Sequence, residues 1–168
     1  MIDAQILVDR YLELERILNI FCSNFDFCVP YCIKLQIKEK GVAIGCCQNR
    51  YYKKYDQDLP SYEILKKLRE EIYGKPLEYE HIKTPSPCEY HTPEGCVLKT
   101  HKSPICNAFF CPEAIEHLRE KYLIFNYDYL GIYYGLEWTL DGTFSKTQYE
   151  DFRNELIITA EKAGKEVN

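Results

Sequence analysis

The sequence lacks long runs of any one kind of residue, and each absence removes a class of protein. No basic stretch is long enough to follow a phosphate backbone, and the net charge is −5. We therefore expect no nucleic-acid partner. No apolar run approaches the ~18 residues of a membrane-spanning helix, so we expect no membrane partner.

The first 21 residues also lack the uninterrupted apolar segment of about 7–15 residues that a secretory signal needs, because charged residues such as Asp9, Arg10 and Glu13 interrupt them. We expect a cytoplasmic protein, whose thiols stay reduced. This expectation decides how the nine cysteines are interpreted. In a reducing compartment they indicate metal ligation rather than a disulfide framework.

Apolar residues recur at helical spacing in several segments of this 168-residue chain, which has the size of one domain. Helices are predicted over 3–21, 61–73, 112–121, 127–139 and 146–163. For 127–139 a pair of strands is the alternative, and a short hairpin is allowed around Gly95–Leu98. The predicted fold class is mainly α: one small domain of about five helices around an irregular, cysteine-rich, metal-pinned centre. The cysteine-cluster core would span 22–111, and the helical C-terminal part 112–168.

Helix boundaries follow from capping residues. Asp3 and Ser61 are expected to cap the first two helices, and Gly74 to end the second. Ser145 and Gln148 have the spacing of a capping box at the start of the last helix. The charges of the second helix are expected to form a solvated face.

Eight of the nine cysteines form two groups of four: Cys28, Cys32, Cys46 and Cys47, then Cys88, Cys96, Cys106 and Cys111. Thiolates are soft ligands that suit zinc and iron–sulfur clusters. Four of them can close a tetrahedral zinc site or hold one cluster. Disulfides and unrelated buried thiols are the alternatives. The spacings do not decide which cysteines share an ion, or how many centres there are.

The ninth cysteine and the histidines are weaker candidates. Cys22 ends the first helix and is expected to pack in the core. His91 and His101 follow cysteines closely, so either could replace a thiolate, although a surface or supporting role is favoured. His117 is expected to be polar surface.

The segment PEGCVLKTHKSPICNAFFCP, together with the cysteine pairs before it, resembles the CxxCxxCC-type (YkgJ-like) cysteine-cluster family, whose members are described as zinc- or iron-chelating. The resemblance covers residues 28–111. Ser103 and Asn107 stand where the family tends to have arginine.

The resemblance implies a metal-binding protein that holds zinc or an iron–sulfur cluster through all eight cysteines, in a structural or redox role. The family also includes the flagellin lysine N-methylases, so one alternative is an enzyme that modifies a protein or small molecule with the metal centre. The chain shows no glycine-rich nucleotide loop. A binding module whose loops are pinned by a metal against a protein partner is a third hypothesis.

Overall fold

A computed structural model gives the fold of the chain, and it describes residues 1–25, 27–28, 32, 34–41, 50–53, 55, 58–76, 88–92, 95–164 and 167. The described helices are α1 (Ala4–Asn24), α2 (Lys34–Lys40), α3 (Pro60–Tyr73), α4 (Pro104–Ala108), α5 (Pro112–Tyr122), α6 (Tyr129–Leu140) and α7 (Lys146–Lys162). A 3-10 turn covers Tyr51–Lys53. Two short strands, β1 (His91–Thr92) and β2 (Gly95–Cys96), pair in antiparallel fashion. The predicted mainly α fold is confirmed.

Helix α1 lies at the centre of the fold, where it packs against α3, α6 and α7. Its buried residues recur every three or four positions and so form one stripe. They belong to one large hydrophobic cluster, which we call the main core and which includes Val8, Tyr11, Leu14, Ile17, Leu18, Phe21, Tyr62, Leu65, Leu118, Leu136, Leu140 and Leu156. The prediction that the helices surround a cysteine-rich centre is therefore not supported, because an apolar helix occupies that place.

Most of the predicted helix ends agree with the structure. The Asp3 carboxylate accepts a hydrogen bond from the Gln5 backbone N–H at 2.9 Å. Ser145 and Gln148 form the reciprocal bonds of a capping box, at 3.2 and 2.9 Å. Gly74 ends α3 with a φ of +78°, a value that glycine adopts without strain.

Two expectations about α3 were wrong. The helix begins at Pro60, with Leu59 as its N-cap, and the hydroxyl of Ser61 donates instead to the carbonyl oxygen of Leu140. Proline suits the first helical position because its φ is already helical and the N–H it lacks would have no partner there. The charged face is also not wholly solvated, because Arg69 is only 4 % exposed.

The segment 127–139 forms helix rather than strands. Gly135 of α6 faces the ring of Phe152 on α7, and a side chain at position 135 would overlap that ring. The absence of a Cβ therefore lets the two helices approach closely.

A second, smaller hydrophobic cluster lies apart from the main core. Tyr52, Cys88, Tyr90 and Leu98 are its buried members, and Tyr73, Cys96 and Cys106 pack against it. We call this set the thiol cluster.

No helix among the described residues is long and apolar enough to cross a membrane.

Candidate metal centre

Three cysteines and one histidine of the thiol cluster region surround a common cavity of about 80 Å³. They are Cys88, Cys96, Cys106 and His91. The rest of the wall consists of Tyr51, Tyr52, Leu98, Lys102, Ile105 and Phe109. One water needs about 10–15 Å³ of such space, so the cavity can admit a group larger than a single water.

The strand pair brings two of these donors side by side. His91 lies opposite Cys96 in the antiparallel register, so their side chains lie on the same face of the pair. Cys88 comes just before β1, and its carbonyl oxygen accepts from the His91 backbone N–H at 2.9 Å. A tight turn therefore places Cys88 next to the strand that carries His91.

Cys106 comes from the short helix α4. Ser103 is the N-cap of this helix, and its hydroxyl oxygen accepts from the Cys106 backbone N–H at 3.4 Å. The same hydroxyl donates to the carbonyl oxygen of Tyr51 at 2.7 Å, which ties α4 to the 3-10 turn. Ser103 is fully buried, so these bonds are shielded from water.

A buried carboxylate of α1 holds the loop that leads into α4. Glu15 is 1 % exposed. Its two oxygens accept from the backbone N–H groups of His101 and Lys102 at 2.7 and 2.9 Å. The side-chain amide of Asn107 donates to the same carboxylate at 3.1 Å. The hydroxyl of Tyr11 donates to the Lys102 carbonyl oxygen at 2.6 Å. The loop that connects Cys96 on β2 to Cys106 on α4 is thus anchored to the central helix.

The cavity thiols are neutral in this protein at neutral pH. Burial raises the pKa of Cys106 to about 12 and that of Cys88 to about 11. Burial also raises the pKa of Cys96. The neighbouring thiols of Cys88 and Cys96 add to the shift of the Cys106 pKa, so the three groups lie within electrostatic reach of one another.

Basic side chains oppose these shifts. Lys102 lies in the cavity wall and favours a lower pKa at both Cys96 and Cys106. Arg50 acts in the same direction on the pKa of Cys88. Burial, the neighbouring thiols and, at Cys88, the Glu89 carboxylate outweigh these cations, so the thiols keep their protons.

The side chains are not arranged as a finished metal site. In the part of the chain that the structure describes, no three His, Cys, Asp or Glu side chains form a group that could hold a metal ion as they stand. The donor chemistry nevertheless fits such an ion, since three thiols and an imidazole form a Cys3His set, which binds structural zinc. Ligation by this set would require the side chains to turn towards one point and the thiols to lose their protons.

The other predicted ligands lie elsewhere. Cys111 is the N-cap residue of α5, and it packs against the main core together with Cys22 and Cys28. Of the second group of four cysteines, the structure thus brings three together around the cavity. The fourth, Cys111, packs against the main core instead. Cys32 is half-buried, and its backbone N–H donates to the Phe27 carbonyl oxygen at 3.1 Å.

Cys46 and Cys47 lie outside the described residues. Cys22 packs in the core as predicted.

The histidines agree only in part with their expected roles. His91 is 3 % exposed and lines the cavity, whereas a surface or supporting role was favoured. The hairpin allowed around Gly95 could have indicated this, because it would bring His91 towards Cys96. His101 bonds the Thr100 hydroxyl at 2.9 Å. His117 is half-buried with its ring 5.2 Å from that of Phe27, so it is not purely polar surface.

No family model, curated protein or solved structure matches this chain. The resemblance to the cysteine-cluster family therefore stays a prediction.

Proposed function

We propose that this chain is a cytoplasmic metal-binding protein that holds zinc or an iron–sulfur cluster through Cys88, Cys96 and Cys106, with His91 as the fourth protein donor. One observation carries the proposal: these four side chains, from three separate local structures, line a single cavity. Isolated buried cysteines are common as small hydrophobic residues, but three around one space together with an imidazole are typical of a ligand set.

The remaining cysteines have a different place in this proposal. Cys111 and Cys28 pack against the main core and are not among the residues that line the cavity. A second centre that uses them would have to draw on Cys32, Cys46 or Cys47. The cavity donors are sufficient for one centre, so we propose a single ion or cluster in the cavity.

Binding would release protons. The thiols are protonated at neutral pH because burial raises their pKa. A metal ion binds the thiolate, so each coordinated cysteine gives up its proton when the ion enters. Affinity should therefore rise with pH, and Lys102 would offset part of the charge that remains.

The test is metal analysis of full-length protein purified without oxygen, together with its visible absorption spectrum. Bound zinc in a colourless protein indicates a single-ion site, whereas broad visible absorption with iron and sulfide indicates a cluster. We expect C88S, C96S and C106S each to lower the bound metal strongly.

The matched control is C22S, because Cys22 packs against the main core rather than the cavity. C22S should keep the wild-type metal content. Well-folded wild-type protein that is isolated without metal, and that takes up neither added zinc nor a reconstituted cluster, would overturn the proposal.

A further inference from the structure

Arg69 is a buried cation that forms no ion pair with any of the described residues. The side chain lies on α3 and is 4 % exposed. Among the described residues, no carboxylate lies within ion-pair distance of its guanidinium, and its Nε has no hydrogen-bond partner. Burying an unpaired charge is costly, and most proteins avoid it. Since none of the described carboxylates pairs with it, an anion bound from solution would explain why this arginine is buried.

The groups that contact Arg69 are neutral. One of its terminal nitrogens donates to the Tyr52 carbonyl oxygen at 3.3 Å and to the Tyr55 hydroxyl at 3.0 Å. The guanidinium carbon lies 5.3 Å from the centre of the Tyr52 ring. Phenols and carbonyl groups carry no charge at neutral pH, so these contacts orient the cation without compensating it.

These contacts place the cation directly behind the wall of the thiol cavity. Tyr52 lines that cavity, and its ring packs edge to face against Tyr90 with the ring centres 4.9 Å apart. The Cys106 thiol is among the groups that raise the pKa of Arg69. Lys102 lies in the cavity wall itself, whereas Glu89, a described carboxylate on this side, accepts from the Tyr52 hydroxyl and already pairs with Arg50 and Lys53.

The charge of a filled site has the opposite sign. A dication bound by three thiolates and a neutral imidazole carries one net negative charge, and a cluster bound by three thiolates is also negative. In a medium of low dielectric constant, a fixed cation close to such a centre stabilises it much more than it would in water.

We infer that Arg69 is the counter-ion of an anionic metal–thiolate centre in the cavity, and that the buried cation stabilises the net negative charge of the filled centre. This inference rests on the proposed function. Arg69 would not touch the ion. It would be a positioning residue that acts through the charge of the coordinated sulfurs.

The test measures zinc affinity by competition with a chelator, in full-length wild-type protein and in R69M, R69Q and R69K. The two neutral variants should bind zinc about tenfold or more weakly, because the negative centre loses its compensating charge. R69K, which keeps a side chain that can be protonated, should lose less affinity than the two neutral variants. The exposed K67M on the same helix is the matched control and should bind as wild type does.

A second readout separates this role from a structural one. Without metal, R69M should unfold at the same urea concentration as wild type or at a higher one, since an unpaired buried charge has been removed. A purely structural arginine would instead lower metal-free stability in both neutral variants together with affinity, and that result would overturn the inference. R69Q keeps an N–H donor for the Tyr52 carbonyl, and it replaces R69M in this test if R69M does not fold.

Two failures remain distinguishable. If the wild-type protein binds no metal, both the proposed function and this inference are overturned. Wild-type binding with unchanged affinity in R69M and R69Q, or with equal losses in R69K and R69M, overturns only the role of Arg69.

Discussion

Glu15 and His101 are 86 positions apart in the chain, yet the backbone N–H of His101 donates to the Glu15 carboxylate at 2.7 Å. The bond joins the central helix to the loop that connects Cys96 on β2 to Cys106 on α4. His101 has a φ of +60°, an uncommon value for a residue with a side chain, so the loop is held in this shape by its surroundings.

We predict that E15A lowers the free energy of unfolding by about 2–4 kcal/mol, because it leaves buried donors on His101, Lys102 and Asn107 without an acceptor. Urea denaturation measures the change. The matched control is E13A. Glu13 pairs with Arg16 and Arg153 on a partly exposed face, so its loss should be below about 1 kcal/mol. Equal losses in the two variants would contradict the anchoring role of Glu15.

Ser103 should matter to both stability and the site. S103A removes the N-cap of α4 and leaves the Tyr51 carbonyl oxygen without its donor, for an expected loss of about 1–2 kcal/mol. Zinc affinity should fall as well, since Cys106 loses the cap that fixes its helix. S23A, which removes an exposed hydroxyl of α1, should change neither quantity. Wild-type zinc affinity in S103A would show that the cap does not position Cys106.

The metal-free protein should lose stability in mild alkali. The folded-state pKa values of Cys88 and Cys106, about 11 and about 12, exceed those of the unfolded chain. The folded form thus keeps protons that the unfolded form releases, so their contribution is complete below about pH 8.5 and declines as pH rises towards the folded values.

Urea midpoints of chelator-treated protein between about pH 8 and 10 measure this effect. The variant with both C88S and C106S should show a shallower decline. The pH range ends there because burial also raises the pKa of Tyr55, to about 12, so tyrosines contribute to the pH dependence of stability at higher pH. Identical slopes in the two proteins would rule out the buried thiols as the cause.

Gly135 should resist even the smallest side chain. G135A would place a methyl group against the Phe152 ring, so α6 and α7 must separate or the ring must move. We expect a loss of about 1–3 kcal/mol in urea denaturation, despite the better helix propensity of alanine. Adding F152L should recover part of the loss. Additive effects of the two substitutions would argue against direct contact.

The helices could be predicted from sequence because their causes are local. Apolar spacing and caps such as Asp3 and Ser145 lie within a few residues of the ends they determine. The prediction that Ser61 caps α3 was wrong, partly because of a contact with a residue far along the chain. Pro60 takes the first helical position, and the hydroxyl of Ser61 bonds a carbonyl 79 residues later.

The grouping of the cysteines could be predicted only in part. Cys88, Cys96 and Cys106 line one cavity, as expected of a group. Cys111 packs against the main core instead, because it is the N-cap residue of α5 and its position is fixed by the packing of that helix. The burial of Arg69 and Glu15 could not be predicted, since charged residues of amphipathic helices ordinarily face solvent. Only the tertiary packing shows that these two charges point inward.

The separation between the main core and the thiol cluster bears on how such a protein would be matured. Helix α1 and its partners bury their apolar stripe without help from the cavity cysteines. The main core would therefore stay packed in a metal-free form of the chain. Under the proposed function, an ion or cluster could then be supplied to a protein that has already folded.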